Sequence, residues 1–334
     1  MKRAKDLYRC IPDYDNLCLA FWKAARGKHR RPDVSAFKNR VDDNIRKLQD
    51  DLLARSPDVG HYRFIQVYDP KPRSICAASF PERVLHHAVM NVCEPVLEAH
   101  AVFDSYACRK GKGNHKALDR AQRFSRRFPW FLKLDIRKYF DSIDQGVLMA
   151  QLARKFKDRD LLHLFRTLLD TYHTAPGKGM PIGNLISQHL ANFYLSGFDH
   201  WVKEDLKIRG YLRYMDDFIL FGPDKPFLKA ALTQVRAYLA EKLALEPKDD
   251  IQLNRCAHGI PFIGYRVLPS HIRLSPRSKR RFIRKFEEYE SKWQSGEWSE
   301  TDLVRHMEPL IDFTRAAHAD DFRRNVISRF GVPS

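Results

Sequence analysis

The chain of 334 residues lacks the features that define several broad classes of protein. Its six cysteines include no Cys-x-x-Cys pair, so a zinc ribbon or knuckle is not indicated and reduced thiols are expected. No apolar run is long enough to span a bilayer, and the N-terminal residues are charged instead of apolar. These absences predict a cytoplasmic protein that has no membrane partner.

Negative charge is also scarce. The 41 Asp and Glu residues are outnumbered by 59 Lys and Arg residues, which leaves a formal net charge of +18. Such an excess attracts nucleic acid first and an anionic membrane surface second, with binding that weakens steeply as salt is added. Charge alone does not separate an enzyme from a passive RNA-binding protein. The hydrophobic fraction of 44% is sufficient for a folded core.

Hydrophobic periodicity predicts a mixture of helices and strands. Helical spacing of apolar residues covers the segments 41–53, 82–98, 160–172, 185–206 and 227–243. Short apolar runs predict strands at 62–68, 130–136 and 261–267, and two strands joined by a tight turn at 211–222. After residue 273 the sequence becomes basic and helical. The pattern therefore predicts an α+β protein.

Three carboxylates stand in unexpectedly apolar surroundings. Asp135 follows an apolar strand, and Asp216 and Asp217 lie at the tip of the predicted hairpin. An Asp pair in a turn is ordinary by itself, but a buried acid without a partner is costly, and here a second apolar strand also ends in Asp. Two Mg²⁺ ions about 4 Å apart, held by such hard oxygen ligands, are the usual agents of phosphoryl transfer. The three residues therefore predict a metal-dependent catalytic site.

Six segments, in a fixed order, resemble those of reverse transcriptases. They cover roughly residues 60–270, and six motifs in register are far more specific than one. The segments are Tyr68–Arg73, Tyr106–His115, Phe131–Ile143, Pro181–Gln188, Tyr214–Asp217 and Gly259–Tyr265. The fifth, Tyr-Met-Asp-Asp, is similar to the signature of the family. The resemblance implies a right-hand polymerase fold with an N-terminal extension and fingers (1–130), a palm interleaved with the fingers (131–270) and a helical, basic thumb (271–334).

The resemblance also implies metal ligands. Asp135 and Asp216 would bridge two Mg²⁺ ions, for which Mn²⁺ can substitute, and Asp217 would support them. Ile136 would contribute to the same metal site. Lys248 is a candidate general acid for the pyrophosphate leaving group, because the family often has a lysine nearby.

Further positions would bind the substrates. Lys71 and Arg73 would hold the triphosphate of a deoxynucleotide, since Lys and Arg are the standard phosphate ligands. Phe140 would lie beneath the incoming sugar and leave no space for a 2′-hydroxyl, although a core aromatic is the simpler explanation from sequence alone. Template and primer would contact a group of residues in the last part of the chain, namely Gly264, Tyr265, Arg277, Lys279, Arg280, Arg281 and Arg284.

The segment 179–199 resembles one subgroup in particular. Most reverse transcriptases have Gln before Gly183 and Ser-Pro four residues later, whereas this chain has Ile182 there and Ser187-Gln188. Those choices are similar to the reverse transcriptases of diversity-generating retroelements. The subgroup implies copying of a template-repeat RNA into cDNA with errors opposite adenine, and a pentameric accessory variability determinant protein as partner. Ile182, which cannot hydrogen-bond near the nascent pair, and Arg73 would tune fidelity.

Two alternatives stay open from the sequence. The first is a retron-type, group II-like or antiphage reverse transcriptase without adenine-directed errors. The second is a catalytically inactive polymerase scaffold that binds RNA, although the intact Asp135, Asp216 and Asp217 argue against it.

Overall fold

A four-stranded antiparallel sheet forms the centre of the molecule, in the strand order β4-β5-β3-β6. This computed structural model describes residues 3–68 and 72–331. The sheet consists of β3 (Trp130–Asp135), β4 (Gly210–Tyr214), β5 (Asp217–Gly222) and β6 (Gln252–Arg255). The inner strand β5 has its last five residues, Phe218 to Gly222, buried, because helices cover one face of the sheet and a second apolar cluster covers the other.

The first part of the chain is mainly helical. It contains α1 (Tyr14–Ala25), α2 (Pro32–Asn39), α3 (Val41–Leu53), the hairpin β1 (Tyr62–Val67) and β2 (Arg73–Ala78), α4 (Phe80–His100) and α5 (Asn114–Arg127). Three rings tie α1, α2 and α4 together: Phe37 stacks on Phe21 at 5.6 Å and meets Phe80 edge-on at 5.2 Å. The β1–β2 hairpin stands apart from this core, and five of the six β1 residues are exposed.

Helices from the middle of the chain share one hydrophobic core with the central sheet. They are α6 (Tyr139–Ser142), α7 (Gln145–Lys155), α8 (Arg159–Leu169), α9 (Leu185–Tyr194), α10 (Ser196–His200) and α11 (Lys225–Leu243). The long helix predicted over 185–206 is interrupted at Leu195 and ends in a π-helical turn, Trp201–Asp205. Asp144, Asp158 and Asp224 cap α7, α8 and α11 by accepting backbone N–H bonds.

A small second sheet leads into the C-terminal helices. It is formed by β7 (Ile260–Phe262), β8 (Tyr265–Val267) and β9 (Ile272–Leu274), and α12 (Pro276–Gln294), α13 (Glu300–Arg315) and α14 (Asp320–Phe330) follow. The single strand predicted at 261–267 was wrong, because the chain reverses at Ile263 and Gly264. Both turn residues have positive φ, 40° and 91°, which favours glycine at the second. Within residues 3–68 and 72–331, no helix is long and apolar enough to cross a membrane.

A buried ion pair links the helices to the central sheet. Arg213 on β4 and Asp199 on α10 meet at 2.6 Å with side chains 1% and 0% exposed. Tyr211 donates its hydroxyl to the same carboxylate at 2.5 Å, and Arg213 also donates to the carbonyl of Asn192 at 3.1 Å. Because every charge is paired and hydrogen-bonded, the network fixes how α9 and α10 sit against β4.

Removal of the Asp199 carboxylate is expected to destabilise the fold strongly. Asp199→Ala leaves the Arg213 guanidinium buried without its counter-ion, which costs about 3 to 5 kcal/mol. The free energy of unfolding in urea measures the loss. The matched control is Asp205→Ala, an exposed acid at the end of the same helical stretch, which should change stability by less than about 0.5 kcal/mol. Equal effects of the two substitutions would show that the ion pair has no such role.

Candidate active site

Strand register brings two of the three predicted carboxylates together. Asp135, the last residue of β3, lies directly opposite Asp217, the first residue of β5. Directly opposed residues of an antiparallel pair project from the same face of the sheet. Asp216 precedes Asp217 in the tight turn that joins β4 to β5, because Tyr214 already pairs with Asp217. Residues separated by 81 and 82 positions in the chain are therefore neighbours at one end of the sheet.

A hydrogen bond from Arg213 supports the turn that carries Asp216. Met215 adopts a φ of 57°, the left-handed conformation that two-residue hairpin turns require. Its carbonyl accepts a hydrogen bond from Arg213 Nη1 at 2.9 Å. The same arginine is paired with buried Asp199, so the buried ion pair supports the backbone next to the acidic turn.

The carboxylates are strongly perturbed by their surroundings. Burial, and after it the negative charge of Asp135, raise the pKa of Asp216 to about 6. Burial likewise raises the pKa of Asp217 to about 7, opposed by the positive charge of Lys133. Each value lies well above the ordinary pKa of an aspartate, about 3.9. An excess of buried negative charge at one point is the electrostatic signature of a cation-binding or catalytic site.

Two lysines neutralise the carboxylates in this structure. Lys133 Nζ lies 3.0 Å from Asp217 Oδ1, and Lys248 Nζ lies 2.5 Å from Asp135 Oδ1. Within the described ranges, no three His, Cys, Asp or Glu side chains are arranged as a ready-made metal site. The predicted ligands are thus neighbours, but two of their carboxylates are turned towards ammonium groups. The donor set, hard oxygens with surplus negative charge, fits Mg²⁺ or Mn²⁺ chemically.

Lys133 was missed by the sequence reasoning. It precedes Asp135 by two residues and therefore shares its face of β3, a signal that alternation within the strand could have provided. Lys248 was only a candidate by position, and the structure brings it to the site through backbone pairing. Its N–H donates to the Asp135 carbonyl at 2.8 Å, while the Arg137 N–H donates to the Glu246 carbonyl at 2.8 Å. These two bonds do not use the carbonyl of Ile136, the other predicted metal ligand.

The predicted nucleotide-binding residues that the structure describes lie in three separate segments. Arg73 is exposed at the start of β2, close enough for its charge to lower the pKa of Asp216. Phe140 is half-buried on α6 and packs against the core. The carbonyl of Ile182 accepts a hydrogen bond from Cys76 of β2 at 2.7 Å, so the segment with Ile182 and Gly183 lies beside the hairpin. Lys71 lies outside the described residues.

The predicted primer and template contacts lie in the second sheet and α12. Gly264 is exposed in the β7–β8 turn, whereas the ring of Tyr265 is buried and stacks near Phe313 of α13 at 4.8 Å. The side chain of Tyr265 is therefore not exposed to a primer. The basic side chains predicted to bind nucleic acid are all exposed on α12, namely Arg277, Lys279, Arg280, Arg281 and Arg284.

Comparison with known families identifies the family to which the chain belongs. The family described as reverse transcriptase (RNA-dependent DNA polymerase) matches residues 68–267, more than half of the sequence. The match includes all three carboxylates. The chain belongs to the reverse transcriptase family. The enzyme class is therefore RNA-directed DNA polymerase, and members of this class generally use divalent metal ions.

Individual relatives of this reverse transcriptase are distant. Protein YkfC of Escherichia coli is 24% identical over 272 residues, which cover 66% of this chain and 70% of that protein. The group II intron-encoded protein LtrA of Lactococcus lactis is 29% identical over 139 residues, which cover 40% of this chain and 23% of LtrA. Such relatives show that the homologues of this reverse transcriptase include group II intron-encoded proteins.

A solved structure supports the fold of this reverse transcriptase. Telomerase from Candida tropicalis superimposes with a TM-score of 0.52 at 14% identity, covering 65% of this chain and 55% of the telomerase chain. The chain thus spans about half of that protein and a smaller part of LtrA. With the antiparallel central sheet and its helices, this likeness confirms the predicted right-hand polymerase fold.

Substitution of Asp216 is expected to stabilise the metal-free protein at neutral pH. In the folded wild type the pKa of Asp216 is about 6, above its value in the unfolded chain, so wild-type stability falls as pH rises from about 4 to 6. Asn cannot ionise, so Asp216→Asn should be more stable by about 1 to 3 kcal/mol near neutral pH and equal to wild type below about pH 4.

Urea denaturation in the presence of EDTA at several pH values measures this difference. Asp224→Asn, at the exposed cap of α11, serves as the control and should follow the wild-type pH dependence. A variant of Asp216 that is less stable than wild type at every pH would contradict the proposed cost of ionising this carboxylate, which comes from its burial and from the charge of Asp135.

Proposed function

We propose that this chain extends a DNA primer on an RNA template, with Asp135, Asp216 and Asp217 as the metal-binding carboxylates. The observation that supports the proposal best is the register of β3 against β5, which sets Asp135 opposite Asp217 beside the acidic turn. The raised pKa values of Asp216 and Asp217 support it further. In this proposal residues 1–130 form the N-terminal extension and fingers, 131–270 the palm and 271–334 the thumb.

The roles of the residues follow from their positions. Two divalent ions, when bound, would activate the primer 3′-hydroxyl and stabilise the charge on the leaving pyrophosphate. Asp135, Asp216 and the carbonyl of Ile136 would hold them, with Asp217 in support. Until such ions bind, the ammonium groups of Lys133 and Lys248 neutralise the carboxylates of Asp217 and Asp135. A Lys248 ammonium released from Asp135 can donate a proton to the pyrophosphate oxygen.

The remaining contacts would select the nucleotide. Arg73, together with Lys71, would bind the triphosphate, and the ring of Phe140 would exclude a ribose 2′-hydroxyl. The exposed arginines of α12 would contact the phosphates of the template–primer duplex, in a manner that depends on salt and not on sequence.

Primer extension tests the proposal directly. Purified wild-type chain with Mg²⁺, an RNA template, a DNA primer and deoxynucleotides should give full-length cDNA, and Asp216→Asn should reduce the rate on the order of 10³-fold. The control Asp224→Asn leaves the cap of α11 intact, since Asn also caps helices, and should retain full activity.

Two outcomes would count against catalysis by these residues. Equal activity of wild type and Asp216→Asn would remove the carboxylates from the mechanism. Tight, salt-dependent RNA binding without any extension in Mg²⁺ or Mn²⁺ would favour the inactive, RNA-binding scaffold.

The subgroup is a second part of the proposal. Ile182, Gly183-Asn184 and Ser187-Gln188 support a reverse transcriptase of a diversity-generating retroelement, in the cytosol of a bacterial host. Its product would be adenine-mutagenic cDNA made from a template-repeat RNA with the help of a pentameric accessory protein. The similarity to LtrA and YkfC supports the other candidate, a group II-like or retron-type enzyme that copies its RNA without adenine-directed errors.

Sequencing of the cDNA separates the two candidates. A diversity-generating enzyme should misincorporate opposite template adenines far more often than opposite the other bases, and Ile182→Gln should lower the adenine errors several-fold because Gln can hydrogen-bond near the nascent pair. The control Ile65→Gln alters an exposed isoleucine of the hairpin. Equal error rates opposite all four bases in wild type would favour the group II-like candidate. An unchanged adenine error rate in Ile182→Gln would remove that residue from fidelity.

A further inference from the structure

The segment 182–184 acts as a short third strand beside the β1–β2 hairpin. Strand β2 pairs with β1 along one edge. On its other edge the Cys76 N–H donates to the Ile182 carbonyl at 2.7 Å. Two residues further along β2, the Ala78 N–H donates to the side-chain Oδ1 of Asn184 at 3.3 Å. Alternate amides of one strand are thereby satisfied by this segment, as in a sheet.

The acceptor of the Ala78 N–H is a side-chain oxygen of Asn184 and not a backbone carbonyl. The chain enters α9 at Leu185, and the carbonyl of Asn184 is already the acceptor for the Gln188 N–H of that helix at 3.3 Å. The Asn184 carbonyl is thereby used inside the helix, and it is not the acceptor of the Ala78 N–H. The side-chain oxygen takes its place.

Asn184 lies at the start of a helix, where asparagine usually has a different role. Asn at the first position of a helix normally accepts a hydrogen bond from the helix's own N–H groups. Asn184 is the N-cap residue of α9 but makes no such side-chain bond. The side chain is 2% exposed and is directed at the hairpin instead. A helix-capping role thus does not account for asparagine here.

Gly183 makes the close approach possible. A Cβ atom on Gly183 would lie 2.6 Å from Ile75 Cγ2, and its φ of 111° is one that other residues rarely adopt. Glycine therefore lets the segment lie against β2, and asparagine then bonds to it. The pair Gly183-Asn184 is accounted for by one structural requirement.

We infer that Asn184 is a positioning residue that ties the hairpin carrying Arg73 to the segment carrying Ile182. This inference rests on the proposed function, because it concerns the placement of Arg73 against the nucleotide. Arg73 begins the same strand β2 three residues before Cys76, and the outer strand β1 is largely exposed. Loss of the bond at Ala78 would let the hairpin move relative to the acidic turn. The triphosphate contact would weaken while the carboxylates stay in place.

Three substitutions of Asn184 separate tethering from capping. Asn184→Ala removes the acceptor. Asn184→Ser can cap α9 but is too short to reach β2, and Asn184→Asp keeps an oxygen of the same reach at a helix N-terminus, where a carboxylate is favoured. Amide Nδ2 of Asn184 has no hydrogen-bond partner in the described part of the chain, so Asp gives up no contact of that amide. Asp224→Ala, which removes the cap of the distant helix α11, controls for a general loss of stability.

Hydrogen exchange of the peptide 73–79 and steady-state kinetics are the two measurements. Asn184→Ala and Asn184→Ser should exchange about five- to tenfold faster in this peptide, the factor expected for one lost hydrogen bond, and raise the KM for deoxynucleotide by a similar factor with kcat little changed. Asn184→Asp should restore both values, and Asp224→Ala should alter neither.

Several results would overturn the inference. Unchanged exchange in Asn184→Ala, or rescue by Ser as complete as by Asp, would show that Asn184 does not tether the hairpin. Faster exchange with an unchanged KM would deny it a positioning role. Because exchange is measured without substrate, an enzyme that failed to extend primers would overturn the proposed function, while the exchange rates would still show whether Asn184 holds the hairpin.

Discussion

The pairing of β3 with β5 is the constraint on which the candidate site depends. It places Asp135 opposite Asp217, with Asp216 in the adjoining turn. A shift of one residue in this register would send one carboxylate to the opposite face of the sheet and separate the pair. The burial of the five residues after Asp217 opposes a shift that would move the Asp217 carboxylate into the apolar interior of the sheet.

Nearby cationic side chains allow several carboxylates to lie in apolar surroundings. Lys133 and Lys248 each neutralise one carboxylate at the end of the sheet, and Arg213 neutralises Asp199 beneath the turn. The two kinds of ion pair have different roles. The Arg213–Asp199 pair is completely buried, and its additional hydrogen bonds make it a fixed support. The lysine pairs are partly exposed, so a divalent ion can compete for their carboxylates.

The sequence predicted secondary structure correctly where the local pattern of residues determines it. The helix over Val41–Leu53 and the hairpin around Asp216 follow from apolar periodicity and turn chemistry, and the family resemblance supplied the fold class. Contacts between distant segments were harder to predict. The pairing of Lys248 with Asp135 joins residues 113 apart, and it depends on a backbone bond that no local signal indicates. The break at Leu195 and the bond from Ala78 to Asn184 were missed for the same reason, since tertiary packing determines both. The roles of Arg73, Phe140 and Ile182 stay predictions.

Location of bound Mn²⁺ by anomalous X-ray scattering tests the central claim most directly. Crystals of the chain with an RNA–DNA template–primer, a deoxynucleotide and Mn²⁺ should show two peaks about 4 Å apart, within coordination distance of Asp135 and Asp216. Lys248 should then have left the Asp135 carboxylate. A fully occupied nucleotide with no anomalous peak at these aspartates, or peaks bound by other residues, would contradict the account.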